Sequence, residues 1–189
     1  MQFEVRLSPV LSSAAGDDPG SAMRTVKAFA ALLLGAGVAH AGPADDCNQG
    51  RDIERQLRGC TAYINLGKGA PENLATAYLN RANVYAQRAK YNLALADYNA
   101  AEALDRQNPL IPYNRGNANF DRRQYARAVA DFTRAIELDT GFALAFFNRG
   151  LAQEGLGDTA AAADDYRRAL ALNPESTSAQ KRLQRLQSQ

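Results

Sequence analysis

With 189 residues, 46% of them hydrophobic, and 22 basic against 20 acidic side chains, the chain has the composition of an ordinary soluble domain. That excludes a disordered segment and a nucleic-acid-coating protein, which need a stronger charge bias. A formal charge of +2 names no partner.

Residues 23–41 read MRTVKAFAALLLGAGVAHA: a basic start at Arg24 and Lys27, an apolar run from Ala28 to Val38, and small residues flanking His40. This is the pattern of a secretory signal peptide cleaved after Ala41. The apolar run is shorter than the roughly 20 residues that a spanning helix needs. An uncleaved anchor is the competing reading, and the small-x-small site argues against it. The mature chain is expected to start near Gly42, in the periplasm or outside the cell, with no membrane span. Signal peptides open on their basic segment, so residues 1–22 are an expected extension ahead of a true start at Met23.

Export changes the meaning of Cys47 and Cys60, the only cysteines, because disulfides persist outside the cytosol. Two thiols and no mature-chain histidine cannot complete a tetrahedral zinc site. Their spacing is not the C-x-x-C of a dithiol redox catalyst. A structural disulfide is expected; closing about 14 residues, it would add roughly 3 kcal/mol in the chain-entropy account. Within Arg51–Leu66, the residues Ile53, Leu57, Cys60 and Ile64 share one helical stripe. Gly67, Gly69 and Pro71 then break the pattern.

From residue 75 a beat takes over. Asn80-Arg81, Asn114-Arg115 and Asn148-Arg149 return at one constant interval. The same period carries Ala82, Gly116 and Gly150; Ala94, Ala128 and Ala162; Tyr98, Phe132 and Tyr166; and Ala101, Ala135 and Ala169. A small residue lets helix backbones approach, and an aromatic four residues after a small one lies on the same helical face. Each unit is therefore a helical hairpin.

The pattern closely resembles the tetratricopeptide repeat (TPR), a 34-residue helix-turn-helix unit. Tyr78, Pro112 or Phe146 stands where an early Trp is usual, and the closing Pro occurs only as Pro174. The resemblance implies an all-α solenoid of the exported bacterial type: a disulfide-bearing degenerate half-repeat over 42–74, TPR units at 75–108, 109–142 and 143–176, and a capping helix over 177–189. Arg51–Leu66 would be the second helix of the half-repeat, lacking a leading helix, with Gln56, Cys60 and Tyr63 at the later Ala94, Tyr98 and Ala101 places. In the first full repeat the helices are expected at about Asn73–Arg88 and Asn92–Asp105. Pro112 belongs in a first turn. Gly155, Gly157 and Asp158 are expected to make the third turn, with Asp158 or Thr159 capping. In the last segment Leu183 and Leu186 face inward, while Lys181, Arg182 and Arg185, without acidic neighbours on their helix, read as solvated charges at a helix C-terminus or as an anionic-partner site.

Catalytic chemistry is poorly provided for. Cleavage would remove His40, the only histidine, and with it histidine bases and triads. The mature serines, Ser176, Ser178 and Ser188, cluster near the end, and no phosphate-cradling glycine motif occurs. Adjacent helical carboxylates such as Asp164-Asp165 point apart and read as surface charges beside Arg167 and Arg168. A non-enzymatic protein without metal or cofactor is expected.

The resemblance instead implies an interaction scaffold whose first helices line a peptide groove. By position in the family pattern, its candidates are Leu79, Asn83 and Gln87; Tyr113, Asn117 and Phe120; and Phe147, Leu151 and Glu154. Amides suit an extended main chain and aromatics offer pockets, although the aromatics could equally pack between hairpins. The Asn-Arg ladder reads as structural, its Asn bonding a neighbouring hairpin and its Arg head in water. Leu79 and Leu144 stand where carboxylate-clamp relatives place lysines, so a chaperone tail is not the expected ligand. The partner is a protein or peptide of the cell envelope and no nucleic acid; the alternative is a structural accessory docked through its convex face or ends. N-terminal peptide mapping should find the precursor beginning at Met23 and the mature chain at Gly42. Peptides from Gln2 to Ala22 would establish the longer start.

Overall fold

The computed structural model describes residues 42–188; the signal segment, its cleavage site and residues 1–22 lie outside the described residues. These hold nine helices and no strand: α1 Pro43–Asn48, α2 Ile53–Leu66, α3 Pro71–Gln87, α4 Tyr91–Leu104, α5 Leu110–Asp121, α6 Tyr125–Leu138, α7 Ala143–Leu156, α8 Thr159–Leu172 and α9 Thr177–Gln187. Helices α3–α8 form three hairpins, preceded by α1–α2 and followed by α9, in a solenoid where each element packs on its neighbours along the chain.

The periodic columns are the packing. A Cβ added to Gly116 would sit 2.7 Å from the Phe132 ring, and one on Gly150 would sit 2.7 Å from Tyr166. The small column thus makes room for the aromatic column, and Tyr98, Phe132 and Tyr166 are wholly buried. The hairpin turns repeat as well. Ala89, Arg123 and Gly157, at equivalent places in successive repeats, all have left-handed backbone with φ of 54°, 58° and 85°. Each next residue's N–H donates five residues back: Lys90 to Tyr85 at 2.8 Å, Gln124 to Asn119 at 2.9 Å and Asp158 to Gln153 at 2.9 Å. This closes the first helix of each hairpin and satisfies its last carbonyls.

Several expectations shift. Helix α3 begins two residues early because Pro71 serves as its first residue, where no N–H is needed. Pro112 is the third residue of α5, within the tolerated first turn. Gly155 belongs to α7 and not to the turn; its missing side chain admits Tyr125, whose ring lies 2.8 Å from where a Cβ would be. Asp158 caps α8 by accepting from the Ala161 N–H. The leading half-repeat does have a first helix, the six-residue α1, joined to α2 by the Cys47–Cys60 disulfide. Gly59 allows this approach, since a Cβ there would meet that of Asp46 at 2.5 Å.

The Arg ladder is structural, but its heads are not in water. Arg81, Arg115 and Arg149 each bind an aspartate on the second helix of their own hairpin: Asp97 through Nε and Nη2 at 2.7 and 2.8 Å, Asp131 through Nε at 2.8 Å, and Asp165 through Nε and Nη2 at 2.8 Å each. The remaining Nη1 reaches the preceding hairpin, to Thr61, Asn99 and Thr133 respectively. Asp165 is therefore a buried partner, 5% exposed, and not a surface charge; only Asp164 lies outside, paired with Arg167. Asp131→Ala, which leaves Arg115 without its carboxylate, should cost about 3 kcal/mol in urea unfolding. Asp164→Ala, which breaks an exposed pair, should change stability by less than about 1 kcal/mol. Equal costs would deny the ladder its structural role.

Candidate functional site

Helices α3, α5 and α7 carry the candidate groove residues, and equivalent positions of successive repeats lie side by side on neighbouring helices. Packing sorts these candidates into two groups. Leu79 is 7% exposed, within the core formed by Ala82, Tyr98 and Ile111, so it is not a groove side chain. The three aromatics pack between and within hairpins. Tyr113 lies between Phe132 and Phe142, with ring centroids 5.9 and 4.6 Å away. Phe120 meets Tyr125 edge-on at 5.4 Å, and Phe147 meets Tyr166 at 5.6 Å. Leu151 is half-buried on α7.

Glu154 is held from three sides. It accepts from the Tyr166 hydroxyl, from Arg182 at 3.5 Å and from Arg185. The arginines of α9 are thus the counter-charges of an acid on α7, neither merely solvated nor free for an anionic partner. Lys181 remains exposed.

What the fold brings together is a polar recess across α3 and α5. Asn83 and Gln87 line it from α3, Asn114, Asn117 and Asp121 from α5, and Tyr98 from α4 behind them. Asn114 and Asp121 are not among the sequence candidates. The repeat carries a signal for both, since Asn114 belongs to the ladder and Asp121 is the second repeat's counterpart of Gln87.

Hydrogen bonds inside the protein orient two of these amides. The Tyr98 hydroxyl donates to Asn83 Oδ1 at 2.8 Å. Asn148 donates through Nδ2 to Asn117 Oδ1 at 2.8 Å and to the Tyr113 hydroxyl at 3.1 Å. Asn80 likewise reaches back, to the Cys47 carbonyl at 3.3 Å and to Asn48 at 3.1 Å. Ladder asparagines in the first and third repeats therefore join successive hairpins, while Asn114 faces the recess.

Among the described residues no group of three or more His, Cys, Asp or Glu side chains is placed to hold a metal ion. No helix among them is long and apolar enough to cross a membrane. The recess offers amides, a phenol and one carboxylate, which suit hydrogen-bonded recognition.

Comparison with known proteins agrees with this architecture. Family models described as "Tetratricopeptide repeat" match residues 75–108, 113–141 and 143–176. No curated protein matches the chain by sequence. Among solved structures, the second TPR domain of human RPAP3 in complex with the HSP70 peptide SGPTIEEVD is 32% identical, with 63% of this chain and 99% of that one covered and a TM-score of 0.61. The first TPR of Spaghetti (RPAP3) bound to the HSP90 peptide SRMEEVD is 28% identical, covering 64% and 94%, with a TM-score of 0.60. The crystal structure of MamA, 21% identical over 77% of this chain and 82% of that one with a TM-score of 0.68, shares the fold.

Burial drives the phenols of Tyr98 and Tyr166 well above the usual tyrosine range, and for Tyr166 the nearby Glu154 carboxylate adds to the effect. A phenol whose folded pKa lies above its unfolded one contributes stability that is complete below about pH 10 and is lost as pH rises toward the folded value. Tyr98→Phe combined with Tyr166→Phe should therefore flatten the alkaline fall in stability above about pH 10. Urea unfolding on either side of that pH checks this, and an unchanged slope refutes it.

Proposed function

Because the chain belongs to the tetratricopeptide repeat family, we propose that it is a non-catalytic interaction scaffold that holds an extended segment of a partner protein across α3 and α5. The observation that carries this reading is the recess itself: among the described residues Gln87 and Asn114 make no side-chain hydrogen bond within the chain, yet they face the same open space as Asn83 and Asn117. Side-chain amides pair with main-chain N–H and C=O groups whatever the sequence of the segment. The peptide complexes of the first Spaghetti TPR and the second human RPAP3 TPR support the choice of ligand class.

The chaperone tails of those two complexes are not the proposed ligands. Leu79 is buried and Leu144 is an alkyl chain, 57% exposed, where the clamp resemblance would require ammonium groups. The proposed setting is the periplasm or cell exterior, and the partner an envelope protein. The signal pattern of residues 23–41 and a disulfide between the only two cysteines support that setting.

Gln87→Ala with Asn114→Ala is the discriminating variant, because neither side chain supports the fold. Crosslinking pull-down from envelope extract should capture a partner with the wild-type protein and lose most of it, about thirtyfold for two hydrogen bonds of roughly 1 kcal/mol each, with a variant of unchanged helical content. Equal capture by both would place the contact on the convex face or an end, as for a structural accessory.

A further inference from the structure

The recess has a charge, and it is negative. Of the residues that line it, Asp121 alone carries a carboxyl group and none is a lysine or arginine, and among the described residues Asp121 forms no ion pair. The cation beside it in sequence is turned elsewhere: Arg122 lines a separate recess with Lys90 and Tyr91. The ladder guanidinium of α5 is committed as well, with Arg115 bound to Asp131, Asn99 and Glu102. No lysine or arginine reaches into the space between Asn83 and Asp121.

The neutral part of the recess also has a direction. Asn83 and Asn117 have their Oδ1 atoms occupied from within, and their NH2 groups, which make no hydrogen bond among the described residues, are the donors left to the recess that both residues line. Those donors match the main-chain carbonyls of an extended segment. They would also accept a carboxylate, were it not for Asp121, against which a second anion has no counter-charge. Unneutralised like charges within one site disfavour the ionised form of both.

Resting on the groove reading above, we infer that the recess selects an internal segment carrying a lysine or arginine directed at Asp121, and rejects an acidic or carboxyl-terminated tail. This is opposite in sign to the SRMEEVD and SGPTIEEVD peptides held by the Spaghetti and human RPAP3 domains. Because Asp121 is exposed, the contribution is that of a solvent-screened pair, a roughly two- to fivefold preference. It should weaken as salt rises.

Selection of a random peptide library, displayed with both ends blocked by carrier sequence, tests this on the wild-type protein, on Asp121→Lys and on Gln87→Ala with Asn114→Ala. Asp121 is the exposed last residue of α5, where a cation suits the helix dipole, so Asp121→Lys should fold normally; circular dichroism verifies it. The expected result is lysine or arginine enriched at one aligned position in wild-type selections, and aspartate or glutamate at that position with Asp121→Lys. Wild-type binders without basic enrichment, or SRMEEVD binding the wild type as well as a selected basic peptide does, would overturn the charge assignment and leave the groove standing. Failure to recover any peptide that the Gln87→Ala, Asn114→Ala variant loses would overturn both.

Discussion

Each hairpin hangs on an arginine that is shared between two repeats. Arg81, Arg115 and Arg149 place one edge of the guanidinium against an aspartate of their own hairpin and the remaining nitrogen against a polar side chain of the hairpin before. The fixed fork of guanidinium donors sets both directions at once, which a lysine could not do. Burial lowers the preference of Arg115 for its charged form, but Asp131 and Glu102 outweigh it and hold the group above its usual range. Successive repeats meet through nearest-neighbour interfaces, and this shared group helps set the angle between them beside the apolar side chains that pack across those interfaces, such as Tyr98 with Ile111 and Phe132 with Ala152.

With that angle set, the small and aromatic columns decide how closely the helices of a hairpin lie, and the hydroxyl of the aromatic decides what happens on the groove side. Tyr98 fixes Asn83 and Tyr166 fixes Glu154. Phe132 has no hydroxyl to offer, and Asn117 is instead engaged by Asn148 of the next repeat. In the first and third repeats the aromatic thus holds a polar group of its own hairpin, while in the second that group is held by the next repeat.

The repeat makes most of this fold legible before any coordinates. Columns of alanine, glycine and aromatic residues are visible because burial restricts them to a few residue types at every turn of the period. The column of Asp97, Asp131 and Asp165 recurs just as strictly, yet it gives no warning of its burial. An aspartate on a helix reads as solvent-facing until an arginine from the preceding helix folds onto it. Ala89 and Arg123 in left-handed backbone carry no signal either, since within this column of hairpin turns glycine marks that conformation only at Gly157. Helix α1 is too short for periodicity to reveal, and what orders it is the disulfide and the absent side chain of Gly59. The arginine partners of Glu154 lie on a different helix, α9, beyond any local rule.

The groove is only half legible for a related reason. Family position proposes Asn83, Gln87 and Asn117, which line the recess, but weights the aromatics equally, although hydrophobic surface at a helix interface is drawn into packing before it is offered to a ligand. Tyr113, Phe120 and Phe147 are taken up in this way. Amides on the same face cannot stabilise an apolar contact, so they remain outside it, and their exposure is a consequence of where the aromatics went. At the C-terminal end the same logic runs through charge: α9 covers Phe146 and Ala169 through Ala179, and its two arginines neutralise Glu154. Asp121, by contrast, stays unpaired among the described residues and faces the α3–α5 recess, so of these two carboxylates the fold itself neutralises only Glu154.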